Sequence, residues 1–379
     1  MAKKTPPKEV SRTKKGAAGA SNTSNLDVLK REIRRIDDRI VRDLNERADL
    51  IGNIAKIDSP DGVLRLLDKE FRDMPAWVDQ NNPGPLSHTA VCAVFRELLG
   101  GCRVLLKTTR VAHLGPMYSY SHLAAIQRFG QSAELVPVGT IAAVFEEVHS
   151  GQSDMGLVPI ENSTDGRVAD TLDMFTRVPV RICGEVELPI HHALLAKCER
   201  QEVREVYSKP QALSQCRNWL ARHVPGARAV EVTSTSMAAE LAAEKPGVAA
   251  IASRQAGIQF GLNVLAEKIE DNPHNVTRFS IIGKQSAPKT GKDKTAIMFQ
   301  LEDRPGVLAE ALNIFKRNRV NLTWIESFPI PGAARAYWFF VEMEGHESDL
   351  TVRRATASLS KKTLCMSVLG SFAVTVPVE

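Results

Sequence analysis

Met155-Gly156-Leu157-Val158-Pro159-Ile160-Glu161-Asn162-Ser163 reads as a strand that runs into a polar cluster. Around it, from about residue 107 to 285, strand-like and helical patterns alternate. Val111–Leu114, Val180–Glu187, Val203–Tyr207 and Val248–Ile251 are strand-like, and Ser121–Phe129, Ile141–Ser150 and Gln211–Ala221 are helical. That alternation predicts an α/β layout on a mainly parallel sheet, with room for two lobes and a cleft between them. Ligands in such sheets bind where strand ends meet helix N-termini.

Further polar clusters fall at such edges. Tyr207-Ser208-Lys209-Pro210-Gln211 follows a strand, with Gln215 one helical turn on, and Ser234-Thr235-Ser236 reads as a helix N-cap. Asn275-Val276-Thr277-Arg278-Phe279 precedes the last strand of the block. Any one of these is explained by turn and cap chemistry. Their recurrence at successive strand ends marks a ligand site.

Downstream, Gln285–Asp293 has linker composition. Residues 294–379 then read strand (Thr295–Leu301), helix (Pro305–Arg317), strand (Asn321–Phe328), strand (Ala334–Met343), helix (Ser348–Ser360) and strand (Cys365–Phe372). That order, βαββαβ, predicts an α+β ferredoxin-like module.

Upstream, Leu26, Leu29, Ile33, Ile36, Ile40, Leu44, Ala48, Ile51 and Ala55 recur at steps of three and four, with Asn25 placed to cap. The stripe predicts one long helix, of about 45 Å at 1.5 Å per residue, and a partner to cover it. Helical segments near 63–80 and 89–103 follow, split by Asn82-Pro83-Gly84-Pro85, with Ser87 able to cap the second. Residues 25–103 therefore form an all-α unit.

Residues 1–24 carry six cations against one acid, so the whole formal charge of +5 lies there and the rest is neutral. The segment has Pro6-Pro7, two glycines and little to bury, which predicts a disordered basic tail. A neutral body argues against nucleic-acid binding. Composition is that of an ordinary soluble chain of two or three domains, and no apolar stretch approaches a membrane span. The six cysteines, 92, 102, 183, 198, 216 and 365, show no Cys-x-x-Cys and no zinc-site spacing with histidine. No metal is expected, and scattered thiols suit a reducing compartment, the cytoplasm.

The strings Leu114-Gly115-Pro116, Ser119-Tyr120-Ser121-His122-Leu123-Ala124-Ala125, Val158–Ser163, Tyr207-Ser208 and Asn275-x-Thr277-Arg278-Phe279 make residues 107–285 resemble prephenate dehydratase. Residues 294–379 resemble the ACT regulatory domain through Arg304-Pro305-Gly306-Val307-Leu308 and Glu326-Ser327-Phe328-Pro329, and residues 25–103 resemble the helical chorismate mutase domain. The whole resembles the bifunctional chorismate mutase–prephenate dehydratase family.

The resemblance implies conversion of prephenate to phenylpyruvate, CO2 and water in L-phenylalanine synthesis, driven by aromatisation and needing no cofactor. It implies Thr277 as hydrogen-bond donor to the leaving hydroxyl, with Glu161, Asn162, Ser208 and Gln215 orienting the substrate. Arg278 would hold a carboxylate, as would the helix starts at Ser119, Ser121 and His122 and at Ser234, Thr235 and Ser236. Tyr118 replaces a family glycine, and Lys209 a family histidine.

For the mutase, whose pericyclic step needs cations on both substrate carboxylates, the resemblance implies Lys30, Arg47, Asp68, Lys69 and Glu70. Lys30 stands for an arginine and Asp58 for a lysine, which predicts a weakened or inactive mutase site. The ACT resemblance implies allosteric L-phenylalanine at Gly306, Val307, Leu308, Glu326 and Ser327, with Phe328 in place of an arginine, and a homodimer or homotetramer. A non-catalytic sensor of an aromatic metabolite would use the same cleft and ACT block; the intact Thr277, Asn162 and Glu161 favour the enzyme.

Overall fold

The computed structural model describes residues 18–330, 332 and 336–375. Three helices come first: α1 (Ala18–Ile57), α2 (Pro60–Asn81) and α3 (His88–Leu106). The expected tail, 1–24, lies outside the described residues up to position 17. From Ala18 onward it is helical rather than disordered, so Asn25 sits inside α1 and does not cap it. Between Ala20 and Asn25 there is neither proline nor glycine to interrupt a helix. On α1, Leu26, Leu29, Ile33, Ile36 and Ile40 are all about half exposed. Ser87 caps α3 by accepting from the Ala90 amide at 3.2 Å.

The first compact unit ends at Val63 and the second begins at Leu64. In the second, a first sheet is built from β1 (Arg110–Leu114), α4 (Tyr120–Phe129), β2 (Glu134–Val138), α5 (Ile141–Ser150), β3 (Met155–Asn162), β4 (Gly166–Arg167), α6 (Ala169–Arg177) and β5 (Arg181–Pro189). The chain then crosses to a second sheet: β6 (Ala193–Ala196), β7 (Glu205–Ser208), α7 (Pro210–Gln215), α8 (Arg217–His223), β8 (Arg228–Glu231), α9 (Thr235–Glu244), β9 (Val248–Ala252), α10 (Arg254–Gln259) and β10 (Asn263–Glu267). It returns to the first sheet as β11 (Val276–Gly283).

The sheets are ordered β2-β1-β3-β11-β5, with β4 on β3, and β10-β6-β9-β7-β8. Both are mixed, which corrects the mainly parallel expectation. β11 comes back from the second sheet and runs antiparallel to β3 and β5. In the second sheet β6 lies antiparallel to both β9 and β10. Ser119, Thr140, Ser234 and Ser253 each cap a helix through a side-chain oxygen, as their polarity and position dictate.

The helix expected over Gln211–Ala221 breaks at Cys216. Asp271 causes the break: its carboxylate accepts from the Asn218 and Trp219 amides at 3.0 and 3.1 Å, and its own amide donates to the Gln215 carbonyl at 2.7 Å.

The last sheet has the order β13-β14-β12-β15, from β12 (Asp293–Gln300), α11 (Val307–Arg317), β13 (Leu322–Pro329), β14 (Tyr337–Glu344), α12 (Leu350–Leu359) and β15 (Cys365–Ala373). Its strands alternate. Ile297, Phe299, Val341 and Met343 pack on the helices α11 and α12, while Ala296, Met298, Phe340 and Phe372 join a core with Val158 and Ile160 of β3, Phe145 of α5 and Phe175 of α6. Phe328 belongs to that shared core, which explains an apolar residue there.

Candidate active site

The site forms where β11 lies against β3. Thr277 pairs in register with Asn162, and Arg278 with Glu161. Side chains alternate across a sheet, so these two pairs face opposite sides.

On one side, Asn162 is fixed by its own turn. Its Oδ1 accepts from the amides of Thr164 (2.9 Å) and Asp165 (3.0 Å). The amide nitrogen must then face away, and it donates to Thr277 Oγ1 at 2.8 Å and to Asn275 Oδ1 at 2.9 Å. With its oxygen occupied as an acceptor, Thr277 keeps its proton, and it donates to no protein group among the described residues.

From Asn275 the network crosses to the second sheet. Asn275 Nδ2 donates to Gln215 Oε1 at 2.9 Å, and Gln215 Nε2 donates to Asp165 Oδ2 at 2.9 Å. His192 Nε2 lies 3.0 Å from Gln215 Oε1, and His192 Nδ1 lies 2.8 Å from Tyr120 Oη. Hydrogen bonds therefore bring Asn162, Gln215 and Thr277 into one network. Ser208 is spatially tied elsewhere: fully buried, it donates to the Ile251 carbonyl at 2.7 Å and fastens β7 to β9.

The N-terminus of α4 joins the network through Tyr120, and two expected helix starts keep their caps. Ser119 caps α4, with Ser121 and His122 buried behind it. Burial and the neighbouring His113 push His122 down to about 4. Its Nδ1 accepts from the Tyr118 amide at 3.0 Å. Tyr118 keeps a left-handed φ of 64°, and its ring packs edge-on to His122 and Phe260. Ser234 caps α9 by accepting from the Met237 amide at 3.0 Å. Thr235 and Ser236 are buried there, and Ser236 Oγ has no protein partner among the described residues.

The opposite side corrects two expectations. Arg278, expected to hold a substrate carboxylate, donates to Glu342 at 2.7 Å, lies 3.2 Å from Glu161 and 3.4 Å from Glu185, and stacks over Trp324 at 4.7 Å. Burial opposes its charge, but the three carboxylates outweigh burial and raise its pKa. Glu161, expected beside the substrate, is drawn to Arg278 and away from Asn162 because it sits one residue out of phase. Glu326, expected in the effector site, faces Arg167, whose Nη1 lies 3.0 Å from its carboxylate and from the Ser327 carbonyl. Gly306 starts α11 with φ 82°, and Val307 and Leu308 pack on the outer core.

The mutase-like residues divide between helices. Lys30 and Arg47 lie on α1, where Lys30 is exposed and 3.9 Å from Asp27. On α2, Lys69 is exposed, but Asp68 is committed to Arg103 (2.5 Å) and Arg128 (3.1 Å). The pull of those two arginines overcomes burial and lowers its pKa. Asp68 is thus a structural carboxylate, which corrects its assignment to the mutase-like set; Glu70 follows it on the same helix.

The prephenate dehydratase family profile matches residues 111–287 and the ACT domain profile residues 295–360. The bifunctional chorismate mutase/prephenate dehydratase of Aquifex aeolicus is 40% identical over 352 residues, covering 92% of this chain and 97% of that one. The chain belongs to the bifunctional chorismate mutase/prephenate dehydratase family. The Stutzerimonas stutzeri member of the family is 38% identical over 93% of this chain and 98% of its own. A structure of prephenate dehydratase from Arthrobacter aurescens in complex with L-Phe superposes with a TM-score of 0.65 at 36% identity, covering 70% of this chain and 90% of that one.

Within this family frame, sequence reasoning missed Asn275, Asp165, His192 and Tyr120 as members of the network, and Glu270, whose carboxylate accepts from the His192 amide at 2.8 Å. Asn275 opens the Thr277 motif and was within reach. His192 and Glu270 gave no local signal, because they meet only through the crossing between the sheets. Among the described residues no helix is long and apolar enough to cross a membrane.

Proposed function

We propose that the chain is a bifunctional enzyme of L-phenylalanine synthesis. Its prephenate dehydratase acts in a two-lobed α/β domain (107–285), its chorismate mutase in the helical segment (25–103). A ferredoxin-like ACT domain (294–379) regulates the dehydratase. The observation that carries the dehydratase reading is the Asn162–Thr277 hydrogen bond of 2.8 Å.

In the reaction, the bond to the ring carboxylate breaks and releases CO2. Its electron pair enters the ring and the C4–O bond breaks. Hydroxide is a poor leaving group unless it is hydrogen-bonded as it leaves and then protonated to water. Thr277 supplies the hydrogen bond, and solvent supplies the net proton, since a threonine hydroxyl is too weak an acid to give it up. Asn162 holds the Thr277 oxygen so that its proton stays available. With Arg278 committed elsewhere, the N-termini of α4 and α9 are left to bind the substrate carboxylates; the buried, unpartnered Ser236 hydroxyl supports this.

The mutase reading draws on relatives of both activities that span the chain. Lys30 gives a point charge where a bidentate arginine would hold a carboxylate better, so the mutase runs slower than the dehydratase. The half-exposed stripe on α1 supports a homodimer or homotetramer, and a sensor without catalysis is disfavoured by the relatives' activities. L-phenylalanine is the effector, by analogy with the L-Phe complex of the Arthrobacter protein. The enzyme would act in the cytoplasm.

The test is a product assay with prephenate and chorismate supplied separately. Prephenate should yield phenylpyruvate, and Thr277→Ala should lower kcat about 10²–10³-fold. Undiminished turnover by that variant refutes the role given to Thr277. Chorismate turnover as fast as prephenate turnover refutes the slower mutase.

A further inference from the structure

Gln215 can be oriented in only one way. Its amide nitrogen faces Asp165, whose carboxylate only accepts, so Oε1 faces Asn275 Nδ2 and His192 Nε2. An amide oxygen cannot donate, so His192 must carry its proton on Nε2. In the neutral ring Nδ1 is then a bare acceptor, and the Tyr120 hydroxyl fills it at 2.8 Å. The same hydroxyl lies 2.9 Å from the His191 carbonyl, a second acceptor for its single proton. Burial keeps His192 below its ordinary pKa, so the neutral ring is the form that receives that proton.

The backbone on either side is pinned. Glu270, buried itself, accepts from the His192 amide at 2.8 Å and lies 2.7 Å from His191 Nδ1, while the His192 carbonyl accepts from Ile269 at 3.0 Å. His192 is 2% exposed and its ring meets Tyr120 edge-on at 5.5 Å.

We propose that Tyr120 and His192 form a tautomer lock that orients Gln215 and, through Asn275 and Asn162, keeps the Thr277 proton directed at the substrate. Both are positioning residues: neither touches the reacting atoms, and each acts through the amide it aligns. If Nδ1 carried the proton, the Nε2 lone pair would face Gln215 Oε1 and push it away. Gln215 would release Asn275, and Asn162, whose oxygen its own turn still holds, would lose the Asn275 acceptor that fixes its nitrogen beside Thr277. The functional half of this inference rests on the dehydratase reading; the tautomer half does not.

The experiment uses the full-length protein with histidine nitrogens labelled. The nitrogen resonances of His192, assigned by their loss in His192→Gln, report which nitrogen is protonated at pH 7.5. The wild-type protein should show the Nε2–H form. Tyr120→Phe should mix the two tautomers and lower kcat on prephenate about tenfold. His192→Leu should cost at least as much, and His192→Gln, which restores a donor near Nε2, should recover most of that loss. A wild-type Nδ1–H form, or a Tyr120→Phe variant with both signature and kcat unchanged, overturns the lock. A wild-type chain that leaves prephenate untouched sinks the dehydratase reading instead, and the nitrogen signature still decides the lock.

Discussion

Asn162 donates to Thr277 across the β3–β11 pair at 2.8 Å, and two backbone amides hold the Asn162 oxygen so that the amide cannot turn over. Exchanging this amide for an isosteric carboxylate tests the arrangement. In Asn162→Asp an acceptor replaces the donor, and the Thr277 hydroxyl turns to donate to it. The substrate then loses its hydrogen bond. Dehydratase kcat should fall about 10²-fold or more, a loss typical of one transition-state donor. The far-ultraviolet circular dichroism should stay as in the wild type. Steady-state kinetics on prephenate check it, and a kcat within threefold of wild type counts against the arrangement.

The site was legible where one strand end decided it. Asn162 and Thr277 stand at polar strand edges, and register makes them neighbours. Glu161 and Arg278 stand in the same strings, yet which face of the sheet receives them depends on alternation, and on what covers that face. The covering residues, Trp324 and Glu342, lie in another module. The helix break at Cys216 was hidden for a similar reason, since Asp271 reaches it from a distant segment. The order of elements in 294–379 was readable because each element carries its own periodicity. The antiparallel entry of β11 was not, because strand direction follows from the path through the second sheet.

Asp68 is predicted to act on stability rather than on mutase chemistry. It holds Arg103 and Arg128 together, and both side chains are largely buried. Asp68→Asn leaves two like charges facing each other without a carboxylate. Breaking a buried pair costs about 3–5 kcal/mol, and the partial exposure here reduces that to roughly 2 kcal/mol. The midpoint of urea denaturation should fall accordingly, with dehydratase kcat in the absence of urea little changed. An unaltered midpoint would falsify the structural assignment.

Stability should decline on mild acidification. Burial lowers the pKa of His113, His122 and His192, and His122 is pushed down to about 4. In the unfolded chain these groups bind protons near pH 6.5. Above that pH both states are neutral and the stability is fully present. As pH falls from about 6.5 towards 4 the unfolded state takes up protons that the folded state refuses, and stability is lost. Urea midpoints at pH 7.5 and pH 5 should differ in that sense, and His122→Gln should show a smaller difference. Equal shifts in wild type and variant would exclude His122 as a source.

Arg167 ties the hairpin that carries Asn162 to the ACT sheet. It pairs in register with Glu161 on β3, and its guanidinium lies 3.0 Å from both the Glu326 carboxylate and the Ser327 carbonyl on β13. The turn between β3 and β4 contains the Thr164 and Asp165 amides that fix Asn162, and Asp165 also receives Gln215. A displacement of Glu326 and Ser327 on effector binding would therefore pull on the turn that orients the Thr277 hydrogen bond. Arg167→Ala should raise the L-phenylalanine concentration for half-inhibition at least fivefold, the lower range of allosteric coupling. Uninhibited kcat should change less than threefold. Arg167→Lys, which keeps the charge but offers no fork, should fall between wild type and alanine. L-phenylalanine titrations of dehydratase activity for the three proteins decide it: inhibition curves that coincide would mean that the effector signal takes another route, with the Arg278–Glu342–Trp324 contact the next to test.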